Sequence, residues 1–179
     1  MVFDRYIGID PGKGGAIANI GAGDRKPSAV SMPKSVDEIN EYLTYLKGIS
    51  LCPIVCIEKV SLWRSDADLG KAFGIEKLTA NFKELTTILM LARMPFIQVF
   101  PIQWQSYLTT KKKGESPVER KRRLKELAIK TFPANDITLV NADALLITQY
   151  LGLKCQRELD WVLHRLPKSI VKELNFNNR

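Results

Sequence analysis

Three short stretches of the chain each place one acidic residue beside an apolar segment. They are YIGIDPGKGGAIA at residues 6–18, IVCIEKV at 54–60 and VNADALLI at 140–147. The acids are Asp10, Glu58 and Asp143. The first two would end apolar strands, and the third would begin an apolar helix. Because a buried carboxylate is costly unless something cationic compensates it, the three stretches predict a metal-binding carboxylate cluster.

Clustered carboxylates are suited to the hydrolysis of phosphodiester bonds. Mg²⁺ is a hard ion that prefers oxygen ligands. Two such ions about 4 Å apart activate water and stabilise the leaving oxygen. Each acid also has a simpler explanation: Asp10 could begin a turn, Glu58 a surface loop, and Asp143 could favour a helix N-terminus. Because all three simpler explanations would have to hold together, we favour one shared site.

The apolar pattern predicts an α/β fold with one mixed five-stranded sheet. Strands are expected at 3–9, 14–21, 28–32, 53–58 and 96–100, and helices at 35–46, 65–93, 116–131, 141–151 and 155–166, with Gly152 closing the fourth helix. Three antiparallel strands followed by helix-separated parallel strands match an RNase H-like fold flanked by helices. The length suits a single nuclease domain over residues 1–179. At the carboxyl edge of such a sheet, Asp10 and Glu58 would lie side by side.

The net charge is +8, from 27 basic and 19 acidic side chains. Residues 111–130 hold nine Lys or Arg and three Glu, so this stretch alone contributes 9 − 3 = +6. A basic stripe of this kind favours a polyanion, most often nucleic acid. The alternative is a solvated helix face. The predicted phosphate contacts in this stretch are Lys111, Lys112, Lys113, Arg120, Lys121, Arg122 and Arg123.

Cysteine usage and hydropathy point to a cytoplasmic protein. Cys52, Cys56 and Cys155 lack the paired spacing of a zinc site and are expected to be reduced thiols. No apolar run approaches the roughly 20 residues of a membrane span, so no membrane partner is expected. The N-terminus lacks the basic and apolar regions of a secretion signal.

The motifs together resemble the RuvC-like Holliday junction resolvases of the RNase H-like superfamily, particularly the short phage-type members. IGIDPG followed by a small-residue strand is similar to their first motif, and an apolar strand ending in Glu58 is similar to their second. Val99, Pro101 and Trp104 match a VxPxxWq element. A basic helix ending in Phe-Pro at 132–133, followed by ADALLI at 142–147, completes a resemblance that covers nearly the whole chain.

The resemblance implies a Mg²⁺-dependent crossover junction endodeoxyribonuclease, active in DNA recombination and repair. Such an enzyme resolves four-way DNA junctions by paired symmetric nicks and acts as a homodimer. Asp10, Glu58 and Asp143 would be catalytic and would hold two Mg²⁺ ions per active site, with Mn²⁺ able to substitute. A phage origin, with action in the host cytoplasm, is implied by the resemblance only.

The chain departs from the family pattern at one position. These enzymes usually carry a fourth acid, or a His, three or four residues before the last Asp. Val140 and Leu139 occupy those positions here and cannot bind a metal ion. The nearest oxygen donors are Asp136 and Asn141, which are the candidate fourth ligands, and Asp136 is the better substitute in charge. If neither reaches the site, the second metal ion would be held more loosely.

Three further residues are candidate DNA contacts. Lys13 follows the turn after Asp10; its GKGG context is not a GxxxxGK[ST] phosphate loop, so ATP binding by that route is disfavoured. Trp63 and Arg64 follow Glu58 in a loop that, in similar resolvases, reaches the junction centre, where an aromatic ring can stack on a base. The alternative for Trp63 is a packed side chain, and Trp104 is expected to be structural.

Two other functions stay open on the sequence. One is a nuclease of the same superfamily that cuts other branched DNA or RNA–DNA hybrids, since backbone geometry selects its substrate. The other is a non-catalytic junction-binding protein that has lost its fourth metal ligand.

Overall fold

The computed structural model describes residues 3–24, 26–60, 69–109 and 114–163. The strands are β1 (Arg5–Asp10), β2 (Ala16–Gly21), β3 (Ser28–Ser31), β4 (Pro53–Glu58) and β5 (Phe96–Val99). The helices are α1 (Val36–Gly48), α2 (Leu69–Leu91), α3 (Pro101–Leu108), α4 (Pro117–Thr131) and α5 (Ala142–Leu163). No helix among these residues is long and apolar enough to cross a membrane.

The five strands form one mixed sheet in the order β3-β2-β1-β4-β5. The pairs β1–β2 and β2–β3 are antiparallel, whereas β1–β4 and β4–β5 are parallel. The predicted α/β fold, with three antiparallel strands and two further parallel strands, is therefore confirmed. Of the two central strands, β4 is buried from Pro53 to Ile57, as its continuous apolar sequence indicates, and β1 is buried from Ile7 to Ile9.

Helices cover both faces of the sheet, so the core has two layers. One layer holds Ile7 and Ile9 of β1 with residues of α1 and α2. The other holds Cys56 of β4 with residues of α3, α4 and α5. Because successive side chains of a strand point to opposite faces, each strand contributes alternate residues to the two layers.

Two helix starts follow the capping signals in the sequence. Ser35 accepts a hydrogen bond from the Glu38 backbone N–H at 3.2 Å and begins α1. Ser116 accepts from the Glu119 N–H, and the Glu119 carboxylate accepts from the Ser116 N–H at 2.8 Å. With Pro117 at the first helical position, this capping box begins α4 where it was predicted.

The prediction that Gly152 ends a helix is wrong. α5 runs without interruption through Gly152 to Leu163, so the helices predicted at 141–151 and 155–166 are continuous over the described residues, and residues 164–166 lie outside them. A helix-interior glycine costs about 1 kcal/mol, which packing of the apolar face can offset. Buried Leu145 and Leu151 lie on that face.

A second difference is α3, an eight-residue helix that the sequence pattern did not predict. It begins directly after β5 with Pro101 at its first position. The Phe100 backbone N–H donates to the Gln103 side-chain oxygen at 2.9 Å, which closes the first turn. A short helix with one buried residue, Trp104, has too little apolar repeat to be recognised from periodicity.

Gly8 allows α5 to pack directly on the centre of the sheet. A Cβ atom placed there would lie 2.5 Å from Thr148 Oγ1 and 2.6 Å from the Thr148 backbone N, and would also meet the Ala144 carbonyl oxygen. Two of these three neighbours are backbone atoms, which cannot move aside without shifting the helix. The glycine therefore determines how close the start of α5 approaches β1.

We expect Gly8→Ala to lower the free energy of unfolding by about 1–3 kcal/mol, because the added methyl group overpacks the β1–α5 contact. Urea denaturation measures the change. Gly152→Ala is the matched control on α5, since nothing lies within 4 Å of its added Cβ. That variant should be more stable by about 0.5–1 kcal/mol. Equal effects of the two substitutions would contradict this account of the packing.

Candidate active site

Asp10 and Glu58 lie at the ends of adjacent parallel strands. Ile9 of β1 pairs with Ile57 of β4, and the two acids are the next residues of these strands. Tyr6 of β1 and Cys56 of β4 face the core layer that contains α5. By strand alternation, Asp10 and Glu58 point to the same side. The side-by-side placement predicted for these two acids is therefore present.

The first turn of α5 brings Asp143 to the same edge. Asp143 immediately precedes Ala144, whose carbonyl oxygen lies over Gly8 of β1. The Thr148 hydroxyl donates to the Ala144 carbonyl at 3.0 Å within the buried layer. The close contact of α5 with β1 thus places the third acid near the strand-end acids, although about 130 residues of sequence separate it from Asp10.

α2 holds the turn that follows Asp10. The Gly12 backbone N–H donates to the Asn81 side-chain oxygen at 2.7 Å. Gly12 has φ of +104°, a left-handed conformation that favours glycine, and a Cβ there would lie 2.7 Å from a Leu78 methyl carbon. The sequence offered no signal for Asn81, because its role depends on the packing of α2 against the turn.

The three acids interact electrostatically with one another. Burial raises the pKa of Asp10 well above its usual range, and the negative charges of Glu58 and Asp143 raise it further. Burial, with a smaller contribution from Asp143, raises the pKa of Glu58 to about 7. Burial also raises the pKa of Asp143. Such mutual destabilisation of the charged forms indicates carboxylates that share one poorly solvated site.

Two basic side chains of α4 lower the pKa values of these acids. The charge of Lys121 lowers the pKa of all three acids, and Arg120 lowers those of Glu58 and Asp143. Both basic side chains are exposed to solvent. The start of the basic helix therefore lies near the acids, so that cationic groups border the site.

Trp104 is the donor in a hydrogen bond to one of the acids. Its indole Nε1–H donates to Glu58 Oε2 at 2.5 Å. Trp104 is fully buried in the layer that contains α5. The sequence motif placed this residue shortly after β5, but only the fold directs its N–H towards Glu58.

The donor set fits hard divalent ions. Three carboxylates from three elements meet at one edge, and Mg²⁺ prefers such oxygen ligands. Within the described part of the chain, no three His, Cys, Asp or Glu side chains form a ready metal-binding group.

The two candidate fourth ligands lie in the loop before α5. The Asn141 side-chain oxygen accepts from the Thr138 backbone N–H at 2.8 Å, and its amide donates to the Asp136 carbonyl at 3.0 Å. The Asp136 side chain is exposed. Asn141 is thus engaged in ordering this loop, and ligand roles for Asp136 and Asn141 stay predictions.

The predicted DNA contacts fall into three groups. Lys13 and Arg122 are exposed to solvent. Arg123 is instead held by Glu115, with nitrogen–oxygen distances of 2.6 and 2.8 Å, and donates to the Thr109 hydroxyl at 3.2 Å. Its position indicates a role in connecting the segment before α4 to the helix. Trp63, Arg64, Lys111, Lys112 and Lys113 lie outside the described residues.

Comparison with known proteins identifies the fold. No protein-family model matches the chain, and no curated protein sequence matches it. The structure of Thermus thermophilus RuvC superimposes with a TM-score of 0.54 at 15% identity, covering 86% of this chain and 96% of that one. T. thermophilus RuvC in complex with a Holliday junction substrate gives the same TM-score and coverage at 16% identity. The chain has a RuvC-like, RNase H-like fold. At this identity the likeness establishes the fold alone.

The raised pKa of Glu58 predicts that, in the absence of metal, the free energy of unfolding decreases as the pH rises. Its ordinary value is 4.5 and its folded value about 7. The folded protein therefore binds this proton more tightly than the unfolded chain does. The free energy of unfolding should fall as the pH rises from 4.5 to about 7, by about 1–3 kcal/mol.

Urea denaturation in EDTA at a series of pH values measures this slope. Glu58→Gln is the control, because glutamine retains an oxygen acceptor for Trp104 but does not titrate. The difference between wild type and Glu58→Gln should grow as the pH falls below 7. Parallel curves for the two proteins would show that Glu58 titrates normally.

Proposed function

We propose that this protein is a metal-dependent endonuclease that cuts four-way DNA junctions. The observation that carries the proposal is the meeting of Asp10, Glu58 and Asp143 at one sheet edge, with Arg120 and Lys121 beside them. Acids that hold cations, bordered by basic side chains that attract phosphate, suit the cleavage of a nucleic acid backbone. We further propose that residues 1–179 form a single nuclease domain acting in the cytoplasm.

The structural likeness supports branched DNA as the substrate. One of the similar structures is RuvC in complex with a Holliday junction substrate. The likeness to that structure covers 86% of this chain and 96% of that one. The exposed basic face of α4 adds a surface for the phosphate backbone that is independent of this likeness.

In the proposed mechanism, the three carboxylates would hold two Mg²⁺ ions, with Mn²⁺ able to substitute. Bound ions would supply a nucleophilic water near neutral pH and relieve charge at the scissile phosphate. Asp10 and Glu58, on rigid central strands, would hold their oxygens at fixed positions, and Asp143 would approach from α5. Arg120 and Lys121 would attract the phosphate group and orient it over the acids.

A homodimer would make paired symmetric cuts. A four-way junction has approximate two-fold symmetry, so a two-fold dimer would place its two sites on two strands of like polarity. One site per protomer is consistent with the single carboxylate cluster in the described residues. Paired nicks mapped to the nucleotide would test dimeric action directly.

A non-catalytic junction-binding protein is the second candidate. It is favoured by Leu139 and Val140, which occupy the positions where the resembling family usually carries a fourth acid or His. DNA binding in Mn²⁺ without any turnover would support this candidate.

A nuclease of broader specificity is tested separately. Cleavage of a junction is compared with cleavage of a flap, a plain duplex and an RNA–DNA hybrid.

Asp10→Asn should abolish cleavage of a synthetic four-way junction while leaving junction binding largely intact. The substitution keeps the size of the side chain but removes the charge that would hold the cations. Gel analysis of cleavage with and without Mg²⁺, and gel-shift titration in Ca²⁺, measure the two effects.

Asp37→Asn is the control for this experiment, because Asp37 is an exposed acid in the first turn of α1. It should cleave like the wild type. Cleavage by Asp10→Asn at the wild-type rate would show that the assignment of the active site is wrong.

Neutralising Arg120 and Lys121 together, as Arg120→Gln and Lys121→Gln, should weaken junction binding. The slope of log affinity against log salt should become shallower by about 0.9 for each DNA phosphate that the variant no longer neutralises. Lys130→Gln is the control, since Lys130 is exposed on the same helix about 14 Å further along its axis. The control loses one charge and the variant loses two, so a change of slope half as large in the control would mean that total charge, not this location, governs binding.

A further inference from the structure

The indole of Trp104 and the carboxylate of Glu58 form a pair that the carboxylate cluster alone does not require. The Nε1–H of Trp104 donates to Glu58 Oε2 at 2.5 Å. An indole N–H is a donor only, so this contact always orients an acceptor oxygen towards the ring. Hydrogen bonds to ionised acceptors are stronger than neutral ones, so this contact favours the charged form of Glu58.

Both partners are held by rigid structure. Glu58 ends β4, where it pairs with Val99 of β5, and the next backbone N–H, of Lys59, donates to the Val99 carbonyl at 2.7 Å. Trp104 lies in α3, which begins two residues after Val99. The strand end and the indole are therefore parts of one short continuous unit.

Burial prevents the indole from turning away. Trp104 has no exposed surface and packs in the layer with Leu124 and Leu145. A buried indole N–H needs an acceptor, and Glu58 is the acceptor it has. A ring serving only to fill space would not need to direct this N–H at the sheet edge. Phenylalanine or leucine could occupy such a place without any buried donor.

We propose that Trp104 is a positioning residue that holds Oε2 of Glu58, so that Oε1 is directed towards the cation site beside Asp10 and Asp143. A carboxylate with one oxygen fixed has less freedom to rotate, and its other oxygen is available to an ion. Partners of metal ligands commonly act in this way. This inference rests on the proposed function and extends it from the three acids to a fourth residue.

The decisive variant removes only the N–H. Incorporation of β-(3-benzothienyl)alanine at position 104 replaces the ring N–H with sulfur and keeps the ring shape. We expect the affinity for Mg²⁺, measured by calorimetry, to fall by about 10- to 100-fold. Junction cleavage should need more Mg²⁺, and high Mg²⁺ should restore much of the rate. Wild-type affinity in this variant would overturn the inference.

Trp104→Phe and Ile54→Ala form the matched pair of ordinary substitutions. Both remove packing from the same core layer, but Ile54 lies near the start of β4, at the opposite end of the strand from Glu58. If loss of stability alone were responsible, the two variants would lose Mg²⁺ affinity alike. We expect a large loss for Trp104→Phe and little for Ile54→Ala. Equal losses would overturn the inference.

NMR can observe the indole N–H of Trp104 directly, without any measurement of activity. In a ¹H–¹⁵N spectrum, the peak absent from Trp104→Phe is the Trp104 indole. It should move upfield in Glu58→Ala and should shift when Mg²⁺ is added to wild type. An unchanged peak in Glu58→Ala would overturn the hydrogen bond.

The outcomes separate this inference from the proposed function. Wild type that binds no Mg²⁺ would overturn both. Wild type that binds Mg²⁺ and cleaves junctions, with a benzothienyl variant that does so equally well, would overturn only the role of Trp104.

Discussion

The packing of α5 on β1 at Gly8 is the contact on which the arrangement of the site depends. Without a side chain at this position, the Ala144 carbonyl and the Thr148 backbone approach the strand closely. That approach brings Asp143 from the C-terminal half of the chain to the edge where β1 and β4 end. A larger residue would push α5 outwards, and the third acid would move away from the other two. The constraint is steric, so it does not depend on pH, salt or bound ions.

Burying three carboxylates at one edge has an electrostatic cost, and the surrounding residues partly offset it. Burial and mutual repulsion disfavour their charged forms, as the raised pKa values of Asp10, Glu58 and Asp143 indicate. Arg120 and Lys121 reduce that cost from the solvent side, and Trp104 stabilises the ionised form of Glu58 by hydrogen bonding. The site therefore has residual negative charge available to cations, next to positive charge available to phosphate. This separation of charge is what a phosphodiester-cleaving site requires.

Much of the fold could be predicted because its signals are local. Alternating or continuous apolar runs predicted the five strands, and the Ser35 and Ser116 caps predicted where α1 and α4 begin. The two differences from the predicted fold also arose from local sequence signals. Gly152 was interpreted as a helix end because glycine is a poor helix former, but the apolar face of α5 outweighs that preference. α3 was missed because eight residues with one buried side chain carry too little periodicity.

The sequence by itself determined which residue types could do the chemistry and which elements carry them: three acids beside apolar segments and a basic helix. Only the tertiary structure decided which side chains meet. It brought Arg120 and Lys121 to the acids, engaged Arg123 with Glu115, and directed the N–H of Trp104 at Glu58. The physical reason is that the type and periodicity of residues are encoded over a few positions. Contacts between distant segments depend instead on the close packing of helices against the sheet, which no single stretch of sequence encodes.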